Sequence, residues 1–474
     1  MAMGRRKDRQ RELWIGQQDL ARSPGHPFYE KLSRVLVEQG FDQFTEAECE
    51  RFYSRKMGRP SLAPGIYFRL LVVGYFEGID SERGIAWRVA DSIALREFLG
   101  FALTEATPNH STISRTRRLI DVESHEAVFG WVLRVLAKSG LVKGKTLGID
   151  ATTLEANAAM RAIVRRDTGA SYEDYLSGLA EASGIETPTR ADLARIDRKR
   201  KKKGSNEEWE HPHDPDARIT KMKDGRTHLA HKMEHTVDME TGAVLGLTIQ
   251  PADRGDCQSL EHTLDETFMV FDDLVADPDA AAKLDPQFLT EIVADKGYHS
   301  NDVLTQLGQQ EMRAYISEPK RGRRRWKDKS AAREAVYANR RRIRGQRGLG
   351  LLRKRGELLE RPFAHALETG SMRRVFLRGG ENIRKRALIH VGGLNLGLLM
   401  RTIFGVGTPR GLQTRLAAFL KLLQSKIQPS RLVKKPRTSG CTLCTLSLPI
   451  LELLCPRQTN GSSPLRRLTL STGC

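Results

Sequence analysis

Residues 145–152 read KTLGIDAT, and this stretch decides the fold class. Its alternating apolar residues between glycine and threonine predict a short buried strand that ends at Asp150. Residues 289–294 predict a second short apolar strand that ends at Asp295. In α/β sheets, functional side chains gather at the C-terminal ends of strands. If the two strands are neighbours, both carboxylates are expected to meet at one edge of the sheet.

The segments around these strands complete an α/β pattern. The periodicity predicts a hairpin at residues 228–250 with its turn at 240–242, helices at 260–275 and 301–309, a strand at 313–316, and further helices through 359–367 and 383–400. This order indicates a mixed sheet flanked by helices.

The chain before residue 140 has helical spacing throughout. Residues 107–120 predict a helix that Thr107 or Asn109 could cap. Its basic residues, carried near the helix surface, are Arg115, Arg117 and Arg118. Two interpretations stay open: a helix-turn-helix-like DNA reader, or a helical subdomain that packs on the core or mediates dimerisation.

These patterns divide the chain into three parts. We predict a helical N-terminal domain for DNA binding or dimerisation at 1–140 and a catalytic domain at 141–405 with an insertion at about 160–225. The remaining residues, 406–474, are predicted to be a basic segment whose end, after about residue 436, is an extension outside the folded unit.

The chain is strongly basic. Its 474 residues carry a formal net charge of +20 with 39% hydrophobic residues, and the sequence pI is about 9.8. Residues 321–361 alone hold 16 Lys or Arg against 4 Asp or Glu. A surplus of this size favours a polyanionic partner, most commonly nucleic acid. A merely soluble basic protein is the plainer alternative.

Other sequence signals suggest a cytoplasmic protein without a membrane partner. Residues 1–14 lack the apolar core of a secretory signal, and the apolar stretch around residues 394–400 is interrupted by glycine and short for a membrane span. Cys441 and Cys444 have metal-ligand spacing, but no second ligand pair follows them, so neither zinc nor a disulfide framework is expected there.

Three carboxylates brought together by a fold can hold two Mg²⁺ ions. Such a pair activates an attacking water or 3′-hydroxyl and stabilises the leaving 3′-oxygen of a phosphodiester. Asp150 and Asp295 would supply two carboxylates, and Glu360 is the third candidate because it borders an apolar helical face. Glu357 and Glu368 are rival third ligands, and an exposed Glu360 paired with a neighbouring Lys or Arg is the plainer alternative.

Several blocks of the chain, in order, resemble bacterial insertion-sequence transposases of the DDE type. The three acidic blocks are GIDATTLEANA (148–158), VADKGYHS (293–300) and RGELLERPFAHALETGSMRR (355–374), and the flanking blocks are PNHSTISRTRR (108–118) and LRGGENIRKRALIHVGGLNLGLLMR (377–401). The resemblance covers about residues 45–405.

This resemblance implies an RNase H-like core in which Asp150, Asp295 and Glu360 are the catalytic, metal-binding triad. It further implies two Mg²⁺ ions, for which Mn²⁺ substitutes, and double-stranded DNA partners: the terminal inverted repeats of the element and the target DNA. Pairing two DNA ends implies a homodimer or a higher oligomer. The candidate DNA-binding residues are Arg115, Arg117, Arg118, Lys296, Arg340, Arg341, Arg342, Lys354, Arg355 and Arg361.

Three functions remain to be separated. A DDE transposase is the leading hypothesis. A DNA-binding repressor or decayed transposase without catalysis is the second, because the unusual C-terminal text suggests a damaged reading frame. A metal-dependent nuclease of the same fold, which cuts without joining, is the third.

Overall fold

The computed structural model describes residues 27–54, 61–200, 204–222, 224–320, 322 and 324–409, which all lie in the unit Met1–Ala418. The predicted extension after residue 436, the Cys441 and Cys444 pair and residues 201–203 of the basic run lie outside the described residues.

The described part of the N-terminal region is helical. Its α-helices are α1 (Pro27–Glu38), α2 (Phe41–Cys49), α3 (Pro64–Glu77), α4 (Glu82–Ala90), α5 (Ile93–Phe98), α6 (His110–Leu119) and α7 (Val122–Lys138). Pro64 opens α3 at a position whose N–H needs no helical partner, and Gly78 ends it in the left-handed conformation at φ 70°. The Asn109 side chain caps α6 by accepting from the Ser111 N–H, which confirms one of the two predicted caps.

Eight strands follow within the part of the chain that the structure describes. They are β1 (Thr146–Glu155), β2 (Val164–Arg165), β3 (Trp209–Glu210), β4 (Arg218–Lys221), β5 (Thr227–Asp238), β6 (Val244–Pro251), β7 (Glu291–Ala294) and β8 (Arg313–Ile316). The main sheet has the order β4-β5-β1-β7-β8, and β6 pairs with β5 as the predicted hairpin. The pairs β1–β7 and β7–β8 are parallel, and the others in this sheet are antiparallel, so the predicted mixed sheet is confirmed.

The segment between β1 and β4 forms a small unit of its own. β2 and β3 pair into a two-stranded sheet, next to α8 (Tyr172–Ala182) and α9 (Arg190–Lys199). Trp209 is buried among Ile163, Ala217 and Leu229, which gives this unit a local apolar cluster.

The remaining helices cover the main sheet. They are α10 (Asp256–Ala276), α11 (Pro278–Ala281), α12 (Asn301–Gln309), α13 (Ser330–Arg344), α14 (Gln346–Ala364) and α15 (Gly380–Phe404). Ile149 and Ile292 pack with residues of α10 and α12 on one face of the sheet. The ideal Cβ position of Gly148 lies 2.9 Å from Leu359 Cδ2, so α14 lies against the opposite face.

Helix α15 links the N-terminal helices to the sheet. It packs on α3 and α7 and also on β6, and its Asn395 hydrogen-bonds both backbone groups of Val244. By length and composition α15 could cross a membrane, although no membrane span was predicted from the sequence. However, 67% of its most apolar window is buried inside the protein. Its apolar character is that of a core helix. The predicted boundary at residue 140 remains a prediction.

Candidate active site

Asp150 and Asp295 each lie two residues beyond the last residue pair of two adjacent parallel strands. The β1–β7 register pairs Leu147 with Ile292 and ends with Gly148 opposite Val293, so its continuation by two residues aligns Asp150 with Asp295. Paired strands lie about 4.8 Å apart. The two strands are neighbours, which is the condition that the prediction set, and the charge of Asp295 contributes to the raised pKa of Asp150.

One detail of that prediction was wrong. Asp150 lies in the middle of β1, not at its end, because residues 151–155 continue to pair with β5 while β7 pairs only with Thr146, Leu147 and Gly148. Asp150 is therefore just beyond the end of the parallel pairing. Asp295 does follow its strand directly, as predicted.

Asp295 begins a short 3₁₀ turn, Lys296–Tyr298. Its Oδ1 accepts a hydrogen bond from the Gly297 N–H at 2.6 Å. Asp256, the first residue of α10, approaches the same turn from another side, because the ideal Cβ position of Gly297 lies 2.1 Å from Asp256 Oδ2. A third aspartate thus borders the pair, and no sequence pattern singled it out.

The pKa of Asp150 is raised to about 6, chiefly by burial and to a smaller extent by the charges of Asp295 and Asp256. The Ala151 N–H and the Arg355 guanidinium act in the opposite direction and lower it. Like charges held close together disfavour each other's ionised form. The negative charges of Asp150 and Asp295 are therefore only partly compensated by neighbouring positive charge.

Glu360 lies on α14 beside the residues that pack on the sheet. Leu359 is fully buried, and the Phe363 ring lies 3.9 Å from the ring of His235, centroid to centroid. Glu360 itself is exposed. Among the described residues no group of three or more His, Cys, Asp or Glu is arranged to hold a metal ion, so the structure does not unite Glu360 with the two aspartates.

The rival third ligands each have a basic partner. Glu357 pairs with Arg361 at 2.8 Å, and Glu368 pairs with Arg373. α14 also contains Pro362, which has no N–H to bond the carbonyl one turn earlier, and a π-helical turn, His365–Thr369, follows directly. The helix is thus irregular close to Glu360.

Five of the ten candidate DNA-binding residues hold the fold together. Arg117 bonds Glu82 and Asn382, Arg340 pairs with Glu318, Arg342 donates to the Ala314 carbonyl, Lys354 to the Met239 carbonyl, and Arg355 contacts Asp150. These contacts were not visible in the sequence because their partners are distant along the chain. The exposed candidates are Arg115, Arg118, Lys296, Arg341, Lys354 and Arg361.

The three histidines near the site, His231, His235 and His299, are buried. Burial lowers the pKa of His235 to about 3, so its ring is neutral beneath α14. His231 lies 3.2 Å from the buried Asp214, whose other oxygen accepts from the Gly379 N–H ahead of α15. His299 is buried behind the Asp295 turn.

Two families of known proteins match the chain. The family described as Transposase domain (DUF772) matches residues 17–119, and the Transposase DDE domain matches residues 197–396. Together they cover more than half of the chain. The chain belongs to the DDE transposases of insertion sequences. The mixed sheet flanked by helices is accordingly the RNase H-like core of this family, preceded by a helical region.

The matched segments include only part of the acidic set. Asp295, Glu360 and Asp256 fall inside the DDE domain match, whereas Asp150 lies before residue 197. The case for Asp150 therefore comes from its alignment with Asp295. No curated protein and no solved structure matches the chain.

Proposed function

We propose that this transposase binds the terminal inverted repeats of its element and catalyses metal-dependent DNA cleavage and strand transfer. The observation that carries the proposal is the alignment of Asp150 and Asp295 on neighbouring parallel strands, with a pKa of about 6 at Asp150. Two partly buried carboxylates so close together are suited to a cation.

Asp150 and Asp295 are suited to bind a divalent metal ion. Both offer hard carboxylate oxygens, and the positive charge that contacts Asp150 is Arg355 at 3.4 Å. Asp150 and Asp295 would hold Mg²⁺ or Mn²⁺, and Glu360 is proposed as the third ligand. Metal bound there would activate the attacking oxygen and stabilise the leaving 3′-oxygen.

The protein's own residues would hold the DNA. Lys296 is exposed directly after Asp295, and Arg361 is exposed directly after Glu360. We propose that both contact DNA phosphates, because each directly follows a proposed catalytic carboxylate in the sequence. Phosphate contacts of this kind position DNA without reading its sequence. Arg115 and Arg118 are exposed on α6, a basic helix suited to the same task.

The test is an in vitro cleavage and joining assay. It uses a DNA fragment that carries the element ends, with Mg²⁺ or Mn²⁺, and compares the wild type with Asp150→Asn and Asp295→Asn. We expect joined product from the wild type and a loss of at least about 10³-fold in both variants, with end binding kept. Full activity in both variants would show that the site is elsewhere.

The same assay separates the other candidate functions. DNA binding without any metal-dependent product would indicate a repressor or a decayed copy. Cut ends that are never joined would indicate a nuclease of the same fold.

A further inference from the structure

A buried polar network lies behind the Asp295 turn, and no step proposed above uses it. Tyr298, three residues after Asp295, has no exposed surface, and its hydroxyl donates to Glu234 Oε1 at 2.7 Å. Burial and this carboxylate raise the pKa of Tyr298 well above its usual value, so the phenol remains a donor. The turn after β7 is thereby tied to β5.

Glu234 is a carboxylate with no exposed surface. It also accepts from the hydroxyls of Ser259, at 2.7 Å, and Thr263, both on α10. A buried carboxylate is costly unless hydrogen bonds and charge compensate for lost water. Its bonds join β5, α10 and the Tyr298 turn at one point.

Lys232 supplies the compensating charge. It is 5% exposed, its Nζ lies 3.7 Å from Glu234 Oε1, and it donates to Ser259 Oγ and to Asp256 Oδ1, both at 2.7 Å. Asp256 in turn approaches Gly297 so closely that a Cβ there would displace the Asp256 carboxylate. The network thus contacts the Asp295 turn at two successive residues, Gly297 and Tyr298.

These contacts account for three of the four residues of the Asp-Lys-Gly-Tyr segment, 295–298. Asp295 caps the turn, Gly297 leaves room for Asp256, and Tyr298 binds Glu234. Lys296 is exposed and makes no comparable demand on the fold. The segment is therefore held rigidly on its inner side while its outer side faces the solvent.

We propose that Lys232, Glu234 and Tyr298 are positioning residues that hold the Asp295 carboxylate at the distance from Asp150 that a divalent cation requires. This inference rests on the proposed function, since it assigns the network to the same metal site. Partners behind a metal ligand fix its orientation, and their loss commonly lowers metal affinity about 10–100-fold.

The structure offers a matched pair of variants. Tyr298→Phe removes the hydroxyl that binds Glu234. Tyr315→Phe removes a hydroxyl that binds another buried glutamate, Glu291, at 3.3 Å, on the same sheet but at the start of β7. Both are conservative changes of a buried tyrosine. The more direct variant, Glu234→Gln, could prevent folding, and the two tyrosine variants test the proposal even in that case.

The experiment measures the dissociation constant of Mg²⁺ for the full-length protein by calorimetry. It also measures the Mg²⁺ concentration that gives half-maximal DNA cleavage. For Tyr298→Phe we expect the dissociation constant and this concentration each to rise about tenfold or more, with end binding unchanged and with cleavage recovered at high Mn²⁺. For Tyr315→Phe we expect the wild-type metal dependence.

The outcomes separate the two proposals. If the wild type binds Mg²⁺ and cleaves, and Tyr298→Phe keeps the wild-type metal dependence, the positioning role is wrong and the proposed function stands. An equal shift in both tyrosine variants would also overturn the positioning role, because it would reflect general destabilisation. If the wild type neither binds metal nor cuts, both proposals fall.

Discussion

Nη1 of Arg355 lies 3.4 Å from Oδ2 of Asp150, so the helix that carries Glu360 already brings a positive charge to the first aspartate. This guanidinium lowers the pKa of Asp150, yet burial outweighs it and the pKa is still about 6. Arg355 therefore compensates the acidic pair only in part. Its contact also ties α14 to β1 beside the proposed metal site.

Removing Arg355 should shift the titration of Asp150 to higher pH. In Arg355→Ala the carboxyl loses the charge that lowers its pKa, so Mg²⁺ binding should release more protons at neutral pH. Calorimetry in two buffers of different ionisation enthalpy measures this release. Arg361→Ala is the control on the same helix, since Arg361 pairs with Glu357 instead. Equal proton release in both variants would argue against the Arg355–Asp150 contact.

Metal binding by the wild type should weaken in acid. The folded pKa of Asp150, about 6, is above the ordinary value of 3.8, so below pH 6 the metal must displace a proton from this carboxyl. We expect Mg²⁺ affinity to fall about tenfold per pH unit there. Between pH 4 and 6 the folded state also holds more protons than the unfolded chain, so this group's contribution to stability decreases as pH rises.

The check is Mg²⁺ affinity measured from pH 5 to 8 on the wild type and on Asp150→Asn. Asp150→Asn cannot titrate at this position. The Mg²⁺ affinity that remains in this variant should therefore not change near pH 6. A step that persists unchanged in Asp150→Asn would assign the titration to another group.

Glu360 should be distinguishable from its two neighbours. Glu360→Gln is expected to reduce cleavage at least about 10³-fold, the scale for a group acting directly in the reaction. Glu357→Gln and Glu368→Gln remove exposed carboxylates already paired with arginine, so we expect changes below about tenfold. Rates from an end-cleavage assay decide among them, with DNA binding as the control. A loss confined to Glu357→Gln or Glu368→Gln would reassign the third ligand.

The contact between β1 and α14 should be sensitive to a single methyl group. A Cβ at Gly148 would lie 2.5 Å from Met239 Sδ and 2.9 Å from Leu359 Cδ2, so Gly148→Ala should destabilise by about 1–3 kcal/mol. Gly350→Ala is the matched change: that glycine is exposed within α14 with nothing within 4 Å, and alanine should stabilise by about 0.5–1 kcal/mol. Denaturant unfolding measures both, and similar values for the two would contradict this packing.

Most of the fold could be predicted because its elements have clear periodicity. Both strands of the hairpin, β7, β8 and α12 were recognisable from local patterns and turn residues. The start of α10 was not, because its first turn carries Asp256 and Ser259 inward to a polar network and so lacks an apolar face. The hydrophobic periodicity of a sequence indicates which apolar residues are buried, but it does not indicate which polar residues are.

The site was only partly visible in the sequence for the same reason. Asp150 and Asp295 stand out because each interrupts an apolar run. Lys232 and Glu234 lie on either side of Met233 in β5, and both are buried. The signal available in the sequence was two charged residues of opposite sign, two positions apart in a predicted strand. Their partners come from α10 and from the turn after β7, and only the fold brings these segments together.

Helix α15 has a consequence for shortened copies of the gene. Because this one segment, Gly380–Phe404, packs on α3, α7 and β6, a reading frame broken ahead of it would leave apolar faces uncovered on both the N-terminal helices and the sheet. We expect such a product to be a substrate for proteolysis. A stable copy without catalysis is therefore expected to arise by substitution at the proposed acidic site and not by termination ahead of α15.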